Sequence, residues 1–434
     1  MYDLAVVGMG PAGIEAVKYA LNNGLSVIAF EKDKPGGTCL NVGCIPTKSI
    51  LHSAISYNLS KTFDKIGLAG DLSLEIDWKK VIARENSIVE KFSSALDKFL
   101  GSIDNLKYIN SPAEITIDND NILIEADYNI YEAKNIIIAT GSKPYELENL
   151  PFDGKFILSS DDIFKLENLP KSVAIVGSGA IGCEWAYIFS SFGVEVHLIE
   201  KAPAILPNMD NDIQKYAERI LKSNNVKIYK DDYVLNYSVN KLTLNSGKEI
   251  APDIVLSCVG RQAVLPVVHY QGYGGSFTLR AGQNSCTTDF ENVFITGDAS
   301  SGTMLAHYAV FQARNAVNLI LGKNEEYYPV PSVVYLNPEV ASVGLKEQET
   351  DDSYTIKKIS LTTSQKAWCD NQITGMIKLI IKDNLVKGAH IVSPEASSLI
   401  TLLSFIIQYN IPVDEAKNMI YPHPTYSEII AEVL

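Results

Sequence analysis

The chain has 434 residues, 46 % of them hydrophobic, and a formal net charge of −14. That length supports two or three domains with ample core, and the acidic balance argues against nucleic acid or an anionic membrane as a partner. Six cysteines without a regular framework suit a reducing compartment. The N-terminus enters a strand at Asp3 with no basic, apolar leader, and the apolar run Leu399 to Ile407 is too short to span a bilayer, so a cytoplasmic location is expected.

Leu4 to Val7 reads as an apolar strand running into Gly8-Met9-Gly10-Pro11-Ala12-Gly13. The first Gly allows a tight turn, the second lets a pyrophosphate approach the backbone, and the third permits close helix packing. The phosphates would sit on the helix N-terminus. Glu31 ends the next strand, Val27 to Phe30, where a carboxylate can accept both ribose hydroxyls.

Gly36-Gly37-Thr38-Cys39-Leu40-Asn41-Val42-Gly43-Cys44-Ile45-Pro46-Thr47-Lys48 follows. Two thiols separated by four residues in this way can close a small disulfide, and Pro46 suits the first turn of a helix. A helix start lowers a nearby thiol's pKa, which makes Cys44 the candidate thiolate. Metal binding is the poorer reading, because no second Cys or His pair stands at ligand spacing and no metal is expected. Two buried core cysteines would fit badly with the flanking glycines.

The dinucleotide pattern recurs at Val176-Gly177-Ser178-Gly179-Ala180-Ile181-Gly182, and Glu200 closes its second strand, Val194 to Ile199. Glu15, Gly24 and Lys32 return as Glu184, Gly193 and Lys201. One chain therefore reads as holding two dinucleotides. No arginine stands by Glu200 to take a 2′-phosphate, which favours NAD over NADP at the second site. Lys143-Pro144 marks a crossing between the two nucleotide domains, and the chain returns after Gly260-Arg261. Beyond Tyr327, strands Val330 to Tyr335, Val340 to Val343, Met376 to Ile381 and Val386 to Val392 precede a helix from Ala396 to Tyr409. Cys183, Cys258, Cys286 and Cys369 read as ordinary buried thiols.

Taken together, these residues resemble the two-dinucleotide flavoprotein disulfide reductases, through nearly the whole chain. The resemblance implies an α/β fold: an FAD domain at 1–142 and 266–322, an NAD domain at 143–265, and an α+β dimerisation domain at 323–434. It implies FAD contacts at Gly8, Gly10, Pro11, Ala12, Gly13, Glu31, Lys32, Gly37, Thr38, Lys48, Ala113, Thr140, Gly141, Asp298 and Ala306. Here Ala139-Thr140-Gly141 and Thr296-Gly297-Asp298 match family motifs, and Ala113 falls at the adenine end. NAD contacts are implied at Gly177, Gly179, Ala180, Ile181, Gly182, Glu200, Val234 and Gly260.

The chemistry implied runs through Cys39, the more exposed sulfur in relatives, which would exchange with a dithiol, and Cys44, which would face the flavin. His423, in Pro422-His423-Pro424-Thr425, and Glu428 resemble the family's acid–base pair, which reaches the disulfide of the other subunit of a homodimer. Lys48 and Glu184 would form an ion pair beside the flavin. Within the family, the chain is most similar to dihydrolipoamide dehydrogenases, through Pro331 to Tyr335 and Asn337 to Ala341. That implies lipoyl domains of a 2-oxoacid dehydrogenase or glycine cleavage complex as partners. The alternatives are an NADH-linked reductase of another small disulfide, or a flavin-bearing redox sensor or assembly subunit without turnover. The departures are Ala263 and Val264, where relatives commonly carry Pro-Asn, Tyr421 in place of a second His, and a short tail after Glu428.

Overall fold

A computed structural model describes every residue except 71–72, 119–120, 239, 271–274, 279–284 and 301. The chain forms two compact units, one from Met1–Ser49, Lys80–Tyr145 and Arg261–Tyr327, the other from Ile50–Lys79, Glu146–Gly260 and Tyr328–Leu434.

The first unit is built on a sheet whose parallel centre runs Leu106–Asn110, Val27–Glu31, Tyr2–Val7, Asn129–Ile138 and Val293–Ile295. Its central strands are apolar on both faces because both are covered, one by helices and the other by the antiparallel strands Glu114–Asp118 and Asn121–Ala126 with the start of Asn129–Ile138. Helix Pro11–Asn22 follows the first strand and buries Ala12, Gly13, Ala16, Val17 and Ala20. These small residues share an apolar core with Ala309, Ala313 and Ala316 of helix Ala306–Ile320. The other side of the sheet packs Ile28, Phe30, Ile115, Ile136 and Ile295 into a second core.

The second unit contains a parallel sheet in the order Lys227–Tyr229, Glu195–Ile199, Ser172–Val176, Ile254–Ser257, Ile157–Ser159. The nucleotide-binding core is thereby repeated. In each copy the third fingerprint glycine packs against the turn before it: a Cβ on Gly13 would lie 1.8 Å from Gly8 O, and one on Gly182 2.0 Å from Gly177 O. In both, the helix also ends alike, with Leu25 N donating to Ala20 O and Val194 N to Phe189 O.

The same unit holds an antiparallel sheet ordered Ser332–Val334, Glu339–Gly344, Leu385–Ser393, Met376–Lys382, Thr355–Ser360. Helix Ala396–Gln408 buries Leu399, Ile400, Leu403, Ile406 and Ile407 in the core it shares with that sheet. The expected C-terminal strands and helix are all present, with ends shifted by a residue or two. Fully buried Lys378 joins this sheet to helix Asn211–Ser223, donating to Asp210 and Glu347 and pairing with Asp212. No helix among the described residues is long and apolar enough to cross a membrane.

Candidate active site

The redox segment is pressed onto the first fingerprint by backbone. Gly36 N donates to Met9 O at 2.7 Å, and a Cβ on Gly37 would come within 2.9 Å of Gly10 Cα. Thr38, Cys39 and Leu40 then wind into the short helix Gly37–Asn41. Gly43 folds back so closely that a Cβ there would stand 2.8 Å from Thr38 O. That turn delivers Cys44 as the first residue of the helix Cys44–Ser60 and brings its sulfur into hydrogen-bonding contact with Cys39.

The hydrogen bond with Cys44 and then burial push the Cys39 thiol well above its ordinary pKa, against a smaller opposing pull from the Lys48 charge. The shared proton stays on Cys39, so Cys44, at the helix start, ionises first. In the isolated chain Cys44 is exposed and Cys39 half-buried. Cys39 is enclosed in the short helix, whereas Cys44 opens the long one. Cys369 is likewise exposed rather than buried, because it ends the surface helix Gln365–Cys369. Cys183 and Cys286 are buried as expected, and Cys258 is half-buried.

The residues around the first fingerprint fit FAD. Helix Pro11–Asn22 begins at Gly10 with no side-chain cap and no acid in its first turn, which leaves its N-terminus open to a pyrophosphate. Glu31 is held by Met9 N on Oε2 (2.7 Å) and Asp33 N on Oε1 (2.9 Å), so each oxygen keeps acceptor capacity for a ribose hydroxyl. Asp298 accepts from Ser142 Oγ at 2.6 Å, and buried Thr296 Oγ1, two residues away, has no hydrogen-bond partner among the described residues. Lys32 is exposed, Ala113 is partly buried against the core, and Ala306 opens its helix. Thr140 Oγ1 donates to Val264 O, and Val264 N to Gly141 O. The departure at Ala263 and Val264 is absorbed because these contacts use backbone atoms.

Two residues of this neighbourhood escaped the sequence reading of the site. Arg261 Nε donates to Ser142 Oγ at 2.8 Å, and its Nη2 reaches Ser142 O at 3.0 Å and Thr38 Oγ1 at 3.4 Å. A cation thus stands between the Asp298 side of the site and the residue preceding Cys39. The Gly260-Arg261 pair was the only available signal.

Around the second fingerprint, Glu200 accepts from Ser178 N at 2.9 Å and Ala202 N at 2.7 Å, the arrangement seen at Glu31. Helix Ala180–Ser191 also starts uncapped at Gly179, with Ala180 exposed and Ile181 half-buried. Glu184 is buried in this helix and accepts from Tyr335 N at 3.1 Å. Gly260, with φ of +121°, ends the segment before Arg261. Val234 packs its side chain into the apolar core with Leu242 and Leu244, and its carbonyl accepts from Asn149. Every residue assigned to FAD lies in the first unit and every residue assigned to NAD in the second.

In the C-terminal part, His423 Nδ1 lies 2.8 Å from Glu428 Oε1. The backbone N–H of Thr425, donating to Oε2, and the His423 hydrogen bond hold the Glu428 carboxyl below its usual range. An ionised carboxylate only accepts, so Nδ1 carries the proton and Nε2 is the basic nitrogen. Tyr421 turns instead into the core, where its hydroxyl donates to Ala416 O.

Residues 2–313 match the family described as pyridine nucleotide-disulphide oxidoreductase, and residues 330–434 match the dimerisation domain of that family. The chain belongs to the pyridine nucleotide-disulphide oxidoreductase family. It is 32 % identical to the dihydrolipoyl dehydrogenase of Mycoplasma genitalium, over 100 % of this chain and 97 % of that one. It is 31 % identical to a dihydrolipoyl dehydrogenase of Bacillus subtilis, over 99 % and 97 %. The crystal structure of LpdA from Mycobacterium tuberculosis shares the fold, with a TM-score of 0.89 at 24 % identity over 99 % of this chain and 98 % of that one. The oxidoreductase is thus a flavoprotein that uses FAD and NAD(H), and its C-terminal domain makes it a homodimer.

Proposed function

We propose that this oxidoreductase oxidises protein-bound dihydrolipoamide, passing two electrons through Cys39 and Cys44 to NAD. The observation that carries the reading is the match to two curated relatives of that name across 100 % and 99 % of the chain. The geometry supports it with a thiol pair on one nucleotide fingerprint and a carboxylate-oriented histidine in the dimerisation domain.

In the oxidised enzyme Cys39 and Cys44 form a disulfide. His423 Nε2 of the partner subunit, oriented by its glutamate, removes a proton from one substrate thiol, and that thiolate attacks the Cys39 sulfur. The Cys39–Cys44 bond breaks, a substrate–Cys39 mixed disulfide forms, and Cys44 leaves as the thiolate. The second substrate thiol then displaces Cys39, closing the substrate disulfide and leaving two reduced cysteines. FAD, when bound, supplies the step that turns thiol electrons into a hydride for NAD. Lys48, whose charge favours ionisation at the thiol pair, supports this chemistry, as does buried Glu184 on the nucleotide side.

The division into an FAD domain (1–142 and 266–322), an NAD domain (143–265) and a dimerisation domain (323–434) belongs to the same reading. So do a cytoplasmic location and a lipoyl-bearing partner from a 2-oxoacid dehydrogenase or glycine cleavage complex. The test is steady-state NADH formation by purified holoenzyme with dihydrolipoamide against other small dithiols. Preference for dihydrolipoamide supports the proposal. Turnover only in the reverse direction with another disulfide would replace it by the reductase reading, and no turnover by the sensor reading.

A further inference from the structure

The two fingerprints hold their acidic residues alike except for one hydroxyl. Glu31 accepts from Met9 N and Asp33 N, and the Met9 side chain, fully buried, brings no donor. Glu200 accepts the matching pair, Ser178 N and Ala202 N, and a third bond from Ser178 Oγ to Oε2 at 2.6 Å. Ser178 is 0 % exposed and Glu200 9 % exposed. Both acceptor positions on Oε2 are thus taken, Oε1 keeps one position for a ribose hydroxyl beside Ala202 N, and turning the carboxylate would break three hydrogen bonds at once. A hydroxyl that gives its only proton to Glu200 from a fully buried position acts on a nucleotide only through that carboxylate.

The two sites face different demands. The first retains its dinucleotide, and the redox segment is fastened over it by Gly36 N and Met9 O. The second must accept and release its nucleotide at every turnover, so recognition depends on a carboxylate already in place. A carboxylate free to swing would also move aside for a 2′-phosphate.

We propose that Ser178 is a positioning residue for nucleotide selection: its hydroxyl locks Glu200 toward the adenosine ribose, favouring the unmodified diol of NAD(H) and excluding the 2′-phosphate of NADP(H). The proposal rests on the second fingerprint being the NAD site.

The test uses dimeric holoenzyme and follows flavin reduction by NADH and by NADPH in stopped flow. No dithiol or disulfide substrate enters this half-reaction, so the dihydrolipoamide reading can fail without affecting it. Ser178→Ala should raise the apparent Kd for NADH about three- to tenfold, the scale of one typical net hydrogen bond and less than a direct bond to a charged group because the hydroxyl acts through Glu200, with the limiting rate retained. The NADPH constant should rise less or fall, so that the ratio of the two narrows. Ser178→Gly, which adds no methyl group to the buried position, should give the same shift and carries the test if the alanine variant does not fold. An unchanged NADH constant, or equal losses for both nucleotides with an unchanged ratio, would overturn the proposal. Wild-type flavin reduced by neither nucleotide would remove the site reading beneath it, and the proposal with it.

Discussion

His423 Nδ1 and Glu428 Oε1 lie 2.8 Å apart, with the second carboxylate oxygen tied to Thr425 N at 2.8 Å. The imidazole is thereby fixed in one tautomer, with Nε2 as the base. His423→Gln should lower dithiol oxidation about 10²-fold, the usual scale for losing a positioned acid–base group. Flavin content and dimer mass should be unchanged, because the substitution removes a proton acceptor and not a core contact. Loss of flavin in this variant would mean that the histidine is structural.

The hydrogen bond with Cys44 and burial hold the Cys39 thiol well above its ordinary value, and the helix start favours the thiolate at Cys44. Two-electron reduction of the holoenzyme should produce a long-wavelength absorbance from a thiolate against flavin. Cys39→Ser, in which Cys44 is already a free thiol beside oxidised flavin, should show that band without added reductant, and Cys44→Ser should lack it. A full-strength band in Cys44→Ser would reverse the assignment of the sulfurs.

Glu200 ends the second nucleotide strand with both oxygens held by backbone N–H groups. Glu200→Ala should narrow the ratio of kcat/KM for NAD over NADP, with NADP gaining relatively, since the carboxylate repels a 2′-phosphate. Steady-state kinetics with both nucleotides check this; an equal loss for both would show that Glu200 does not read the ribose.

Lys378 is fully buried among Asp210, Asp212 and Glu347. Lys378→Met should cost about 3 kcal/mol or more at neutral pH, because it leaves fully buried Asp210 without its cation while Asp212 and Glu347 keep only Lys358. Burial opposes ionisation of Asp212, but hydrogen bonds from Lys358 and Lys378 outweigh it and hold the carboxyl at about 2. A carboxyl depressed in the folded state stabilises fully above its unfolded value of about 4 and loses that contribution as the pH falls through its folded value. The urea midpoints of wild type and variant should therefore differ at pH 7 and converge as the pH falls from about 4 toward 2. A constant difference across that window would place the effect in packing rather than charge.

Much of this was legible in the chain because the chemistry is local. Gly13 and Gly182 are required by backbone contacts within their own turns, and Glu31 and Glu200 stand at strand ends. The Cys39-to-Cys44 spacing encodes a turn that Gly43 closes. What stayed hidden depends on segments far apart in sequence. Arg261 meets Ser142 and Thr38, and Lys378 meets Asp210, only after folding. Helix Trp78–Gly101 escaped because its buried stripe includes Glu85 and Ser93, which blur the apolar period. The exposure of Cys369 turned on a helix end that residue type alone does not locate.

The central claim is that the thiol pair of one chain and the His423–Glu428 pair of another make a single site. The direct measurement is the activity of mixed dimers in which one chain carries His423→Gln and the other Cys39→Ser. Neither parent homodimer should turn over dihydrolipoamide. If the histidine acts across the interface, both lesions fall in one site and the opposite site is native, so the heterodimer should recover about half the wild-type activity per dimer. If each histidine serves its own chain, every site carries one lesion and the heterodimer stays inactive, which would contradict the shared site.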